Sequence, residues 1–235
     1  MKMNVNLEEQ NERYKKHVEH LKVGQTNIQK VSEIAVGGDF DRIGKIEYEL
    51  LKKFGLQPQH SIVDVGCGSG RLAKPLSDKH YGQYLGTDVV EDLLEYARQL
   101  VKKDHWDFQI VEGLKIPMQN ELTDYVCFYS VFTHLLHEQS YNYLKEAHRV
   151  LKTGGKVIFS FLEFRIPSHW AIFEGNIDTD KTTHLNMFMD RDAISAWATH
   201  LNMEVELILD GNKPQVANYK GLDSLGQSVA VLVKL

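Results

Sequence analysis

Residues 61 to 72 read SIVDVGCGSGRL, an apolar run that ends in Asp64 and opens into Gly66, Gly68 and Gly70 where a helical pattern begins. Glycines at that junction permit positive φ and let a ligand approach the backbone closely. A second apolar run, Gln83 to Asp88, ends in GTD, and a carboxylate at the end of a second strand can accept both hydroxyls of a ribose. Together these features point to an adenosine-type ligand. The glycines run G-x-G-x-G rather than the G-x-G-x-x-G of dinucleotide folds, and the carboxylate of Asp64 would repel a pyrophosphate. A ligand ammonium would instead be drawn to Asp64, directly or through water, with the Gly66 carbonyl as an acceptor.

The elements that must position these groups alternate between β-rich runs and helical patterns, the signature of βαβ units and a mainly parallel sheet. The sequence predicts strands at 61–65, 83–88, 106–111, 124–129, 156–162, 204–209 and 228–233. Predicted helices start near Gly70 and cover 91–102, 140–151 and 190–201, with Gly154 and Gly155 as the stop signal of the third. In the second helix Leu93, Leu94, Ala97, Leu100 and Val101 share one face. The expected architecture is a three-layer, doubly wound α/β fold: a mainly parallel seven-stranded sheet with an antiparallel C-terminal hairpin. Residues 1–53 are read as an N-terminal helical extension, with Leu7, Tyr14, Val18 and Leu21 at heptad-like spacing, that either packs or covers a ligand. Residues 54–235 form the binding domain. Within it the aromatic-rich stretch 163–189 lacks clean periodicity, and long connections of this kind in α/β domains tend to be functional. It is the expected lid.

At 235 residues, with 43% hydrophobic and 25% charged residues, the chain has the composition of a soluble globular protein. Lys and Arg number 27 against 32 Asp and Glu, a formal net charge of −5, so no global positive field exists to hold nucleic acid or an anionic membrane. No uncharged apolar run approaches the roughly 20 residues that span a bilayer, and the first residues lack the apolar core of a secretion signal. The two cysteines, Cys67 and Cys127, lie in apolar strand contexts, which indicates a reducing, cytoplasmic setting. Cys67 reads as a small residue in a tight turn and Cys127 as strand core. The sequence is compatible with a homo-oligomer.

From about residue 37 onward the sequence resembles the class I S-adenosylmethionine-dependent methyltransferases. VDVGCGSGRLA is similar to their first motif, YLGTDVVEDLLEYAR to their ribose-binding motif, and DYVCFYSVFTHL with LKEAHRVLKTGGKVIFSF to their fourth strand, following helix and fifth strand. The resemblance implies a methyltransferase whose cofactor is S-adenosyl-L-methionine and whose product is S-adenosyl-L-homocysteine. It assigns Asp64, Gly66, Cys67 and Gly68 to the methionine moiety, Asp88 to the ribose and Val89 to the adenine. The family's Gly-Asp-Ala after the third strand is here Val111-Glu112-Gly113, which puts Glu112 and Gly113 at the adenine amine. Tyr129 and Ser130 end the fourth strand, where the reacting methyl points. Plainer alternatives are a turn-capping Asp64, an Asp88 that caps the helix at Glu91, and a solvated Glu112.

The implied reaction is in-line displacement on an activated methyl, which needs mainly alignment and exclusion of water. If the acceptor must lose a proton, a histidine is the natural base at neutral pH. His134 is the expected one, with Tyr129, Phe132, His169, Trp170 and His184 as the acceptor pocket. His134-x-x-His137 has no carboxylate or cysteine partner, so no metal is expected. The fourth strand ends FYSVF rather than Asn-Pro-Pro-Tyr, and no Pro-Cys nucleophile occurs, so the expected acceptor is a small molecule rather than a nucleobase. Alternatives from other classes are a non-catalytic adenosyl-binding or partner-binding module and, less favoured by the glycine spacing, a nicotinamide-dependent oxidoreductase.

Overall fold

The structure is a computed structural model that describes residues 2–22, 33–177, 185–218 and 221–235. Contact density divides the chain into two compact units, Met1–Gly113 and Leu114–Leu235. The strands form a seven-stranded sheet in the order β3 (Trp106–Ile110), β2 (Tyr84–Asp88), β1 (Ile62–Val65), β4 (Thr123–Phe128), β5 (Leu151–Phe161), β9 (Ser228–Lys234) and β6 (Met203–Leu209). Among the described residues no helix is long and apolar enough to cross a membrane.

The first unit holds helix α1 (Lys2–Lys22), α2 (Phe40–Lys53), β1 (Ile62–Val65), α3 (Ala73–Ser77), β2 (Tyr84–Asp88), α4 (Glu91–Val101) and β3 (Trp106–Ile110). β1 and β2 are buried along their whole length and pair in parallel, as do β2 and β3. Such continuous burial is why both strands read as apolar runs without alternation. α2 starts at Asp39, whose carboxylate accepts the Arg42 amide at 3.0 Å. α4 carries Glu91 and Asp92 in its first turn, buries Leu93, Leu94, Ala97 and Val101, and stops at Lys102 in the left-handed conformation. The helix expected near Gly70 is short, because a turn precedes Ala73.

The second unit holds β4 (Thr123–Phe128), α5 (His137–Val150), β5 (Leu151–Phe161), α6 (Pro167–Ile177), α7 (Arg191–His200), β6 (Met203–Leu209), a small hairpin β7 (Val216–Asn218) and β8 (Gly221–Asp223), and β9 (Ser228–Lys234). β4 and β5 are parallel, whereas β9 runs antiparallel to both β5 and β6. Three sequence expectations are corrected here. Gly154 and Gly155 do not stop a helix but lie inside β5: Thr123 pairs with Leu151 and Tyr125 with Lys156, so the intervening residues bulge out, with Gly154 at φ 79°. α5 begins at His137, with the Gln139 side chain accepting the Leu136 amide at 2.8 Å. The stretch 163–189 contains α6, whose exposed apolar residues obscured any helical stripe.

The core of this unit centres on Phe132, which is fully buried and stacks on Phe128 with centroids 4.6 Å apart while tilting against Phe159 at 5.0 Å. Phe132→Ala should therefore lower the unfolding free energy by about 3–5 kcal/mol. Urea denaturation checks this, and a loss under about 1 kcal/mol would contradict the packing.

Candidate functional site

The turn after β1 is built by three glycines at positive φ: Gly66 (71°), Gly68 (53°) and Gly70 (84°). The amides of Gly66 and Cys67 both donate to the Thr87 carbonyl, at 2.7 and 2.9 Å, and the Gly70 amide donates to the Cys67 carbonyl at 3.0 Å. A Cβ on Gly68 would come within 2.4 Å of the Val36 side chain, so glycine is required there for space as well as for conformation.

Asp88 ties this turn to the next. One carboxylate oxygen accepts the Gly68 amide at 2.9 Å, and the other accepts the amides of Val89 and Val90 at 2.8 and 3.0 Å. These bonds use three of about four lone-pair positions on a carboxylate, which leaves room for about one ligand hydroxyl. Burial nevertheless pushes the Asp88 pKa up to about 6, against the lowering effect of the three amides. Cys67 is buried beside Asp64 and Asp88, and desolvation raises its thiol well above the usual range, so it is no nucleophile.

Asp64 is buried, and its carboxylate accepts the Tyr84 hydroxyl at 2.7 Å. Desolvation raises its pKa to about 7, with the Tyr84 hydrogen bond opposing. Nearby, Arg71 donates to Glu47 at 2.6 and 3.0 Å and to the carbonyls of Val36 and Gly37 at 2.9 and 3.2 Å. Glu47 is wholly enclosed, and burial raises its pKa while Arg71 lowers it. The sequence reading missed Tyr84, Glu47 and Arg71. The Arg in GSGRLA was the available signal.

In this unit the structure brings together Asp64, Gly66, Cys67, Gly68, Asp88 and Val89. Glu112 and Gly113 lie in an exposed bend after β3, just beyond Val111, whose amide donates to the Asp88 carbonyl at 2.9 Å.

In the second unit Tyr129 is buried at the end of β4, and Ser130 follows in the left-handed region at φ 60°, an uncommon conformation for serine. The Ser130 amide donates to Ser160 Oγ at 2.7 Å, and its hydroxyl accepts from Gln227 Nε2 at 3.2 Å. Phe132 sits in the core, as described above, and presents no face to a pocket. His169 is likewise fully buried: Nδ1 accepts the Glu163 amide at 3.1 Å and Nε2 donates to the Gly226 carbonyl at 2.9 Å. Both ring nitrogens of His169, expected with Phe132 in the acceptor pocket, are thus bonded to backbone. Beside them Arg191 bridges Glu163 at 2.6 Å and Asp210 at 2.5 Å, and the Ser228 hydroxyl also donates to Glu163.

His134 ends a short 3-10 turn and donates from Nδ1 to the Leu185 carbonyl at 2.8 Å. Its ring reaches solvent yet is crowded by neighbouring protein, and the resulting desolvation lowers its pKa. His137 donates to the Phe188 carbonyl at 2.8 Å. Trp170 is 42% exposed and joins Phe164, Phe173 and Phe188 in an aromatic cluster, with Phe164 stacked on Phe188 at 4.7 Å. His184 lies outside the described residues.

Residues 63–159 match the family model of a methyltransferase domain. Demethylmenaquinone methyltransferase of Staphylococcus saprophyticus is 28% identical over 137 residues, which is 52% of this chain and 57% of the relative. The ubiquinone/menaquinone biosynthesis C-methyltransferase of Cupriavidus taiwanensis is 32% identical over 114 residues, 47% of this chain and 45% of the relative. The chain thus spans about half the length of these curated relatives. The crystal structure of magnesium protoporphyrin IX methyltransferase from Synechocystis PCC 6803 with bound SAH aligns at a TM-score of 0.64 and 16% identity, covering 90% of each chain. The segment 63–159 is thus similar to a methyltransferase domain, and the seven-stranded sheet has the fold of that solved methyltransferase.

A carboxylate whose pKa is raised by folding stabilises the native state fully below its unfolded value, 3.8, and loses that contribution as pH rises through about 7. Asp64→Asn keeps an acceptor for Tyr84 and removes the titration. Its stability relative to the wild type should therefore rise between pH 5 and pH 8 in urea denaturation. A relative fall over that range would contradict the burial described for Asp64.

Proposed function

We propose that the chain binds S-adenosylmethionine through its first unit and transfers the methyl group to a small aromatic acceptor bearing a nucleophilic hydroxyl or ring carbon. The observation that carries the reading is the laced turn after β1, with glycines at 66, 68 and 70 at positive φ and held to Asp88. A cofactor fits these residues: the backbone is open to close approach, Asp88 keeps acceptor capacity for a ribose hydroxyl, and Val89 offers apolar surface for a base. When bound, the cofactor supplies a methyl group already activated on a sulfonium.

Asp64 and the Gly66 carbonyl provide the negative surroundings for the methionine ammonium, and Glu112 the acceptor for the adenine amine. Ser130 and Tyr129, at the end of β4, are the second unit's candidates for holding the acceptor. Phe164, Trp170 and Phe173, backed by the buried Phe188, offer apolar aromatic surface for an aromatic acceptor. The menaquinone and ubiquinone methyltransferases among the relatives support a quinone-type ring. His134, which donates from Nδ1 to the Leu185 carbonyl, is the residue assigned to take a phenolic or ring proton from the acceptor.

Two outcomes follow. Asp88→Asn, which keeps one acceptor oxygen but loses the charge, should weaken S-adenosylhomocysteine binding by at least about tenfold in calorimetry. An unchanged affinity in a folded variant removes Asp88 from the site. Incubation with methyl-labelled S-adenosylmethionine and a panel of catechols and hydroquinones should label at least one acceptor. In the same assay, His134→Ala should lower kcat by about 10²-fold with cofactor affinity retained. Cofactor binding without transfer to any acceptor would indicate a non-catalytic adenosyl-binding module.

A further inference from the structure

Helix α1 lies against the very residues that follow Asp88. Val18, only 1% exposed, forms an apolar cluster with Ala35, Val90 and Leu93, against which Tyr14, Leu21 and Val89 also pack. Leu7, Gln10, Tyr14, Val18 and Leu21 fall at helical spacing along one face, while Glu8, Glu9, Glu12, Arg13 and Lys16 occupy the other faces. Val36 and Gly37, just before α2, also lie against the glycine turn. Val36 fills the space a Gly68 side chain would need, and Arg71 grips the Val36 and Gly37 carbonyls. Helix and these residues therefore sit on both glycine turn and ribose-side residues of one cradle.

Two polar groups on that inner face have no use in a purely packing helix. Gln10 buries its side-chain oxygen with no hydrogen-bond partner, an arrangement whose desolvation cost calls for an explanation. One turn further along, the Tyr14 hydroxyl is the enclosed end of a half-buried side chain. It lies within electrostatic reach of Asp88, Arg71 and Cys67, and burial raises its pKa above the ordinary tyrosine value. A nucleoside bound at Asp88 brings hydroxyl and amine donors into the same small space, where an amide oxygen and a phenol are suitable partners.

We propose that α1 is the roof of the cofactor cradle, with Gln10 and Tyr14 as additional cofactor-contacting residues and with cofactor exchange requiring the helix to lift. This deepens the proposed function and rests on it. Gln10 accepts a hydrogen bond from the bound nucleoside. Tyr14 covers its sugar beside Asp88, and Val18 and Leu21 hold the roof down through Val89 and Val90.

The test uses the full chain and S-adenosylhomocysteine. Dissociation rates are measured by stopped flow and affinities by calorimetry for wild type, Tyr14→Ala, Tyr14→Phe and Gln10→Ala, with melting temperature as the check of folding. Tyr14→Ala should release the ligand about tenfold faster and bind it correspondingly more weakly, Tyr14→Phe should fall between, and Gln10→Ala should weaken binding about three- to tenfold. In the wild type, hydrogen exchange of residues 7–21 should slow when the ligand is added. Rates and affinities within twofold of wild type, or exchange in α1 that ignores the ligand, would overturn the roof while leaving the cradle in place. Failure of the wild type to bind S-adenosylhomocysteine would overturn the proposed function as well.

Discussion

The carboxylate of Asp88 is the hub on which the first unit turns. Its two oxygens gather the amides of Gly68, Val89 and Val90, so one side chain fixes both the glycine turn after β1 and the entry to α4. Each such charge-assisted bond is worth about 1.5–3 kcal/mol, enough to hold backbone in the left-handed conformations that leave the turn open. Burial opposes this by raising the Asp88 pKa to about 6, so the site keeps a carboxylate only marginally ionised below neutrality. A ligand that donates hydrogen bonds to Asp88 favours the charged form and reinforces the same arrangement.

Two other buried carboxylates have cation partners. Glu47 is enclosed but meets Arg71, which also anchors Val36 and Gly37, so the segment leading into α2 is bound to the glycine turn. In the second unit Glu163 is paired with Arg191, and the same carboxylate receives Ser228. Removing one member of such a pair leaves an uncompensated buried charge, typically a loss of 3–5 kcal/mol. Of the aromatic residues of α6, Trp170 is by contrast exposed.

The strands were readable because β1, β2 and β5 are buried on both faces and so appear as unbroken apolar runs. The glycine turn and Asp88 were readable because their conformational and charge requirements permit few other residues. What escaped was set by tertiary contact. Gly154 and Gly155 look like a helix stop, yet β5 absorbs them as a bulge once β4 supplies the pairing partner. His169 and Phe132 carry chemistry-bearing or aromatic side chains in a functional stretch, and only their packing reveals that one is committed to backbone and the other to core. Glu47, Tyr84, Gln10 and Tyr14 gain their importance from what lies beside them after folding, a property that no spacing in the chain encodes.

The central claim is that the first unit is an adenosyl cradle rather than a dinucleotide site. The most direct measurement is calorimetric titration of the intact chain with S-adenosylhomocysteine and, separately, with nicotinamide adenine dinucleotide. Saturable one-site binding of the first at micromolar concentration, with no heat from the second, is the predicted result. Saturation by the dinucleotide and none by S-adenosylhomocysteine would contradict the account.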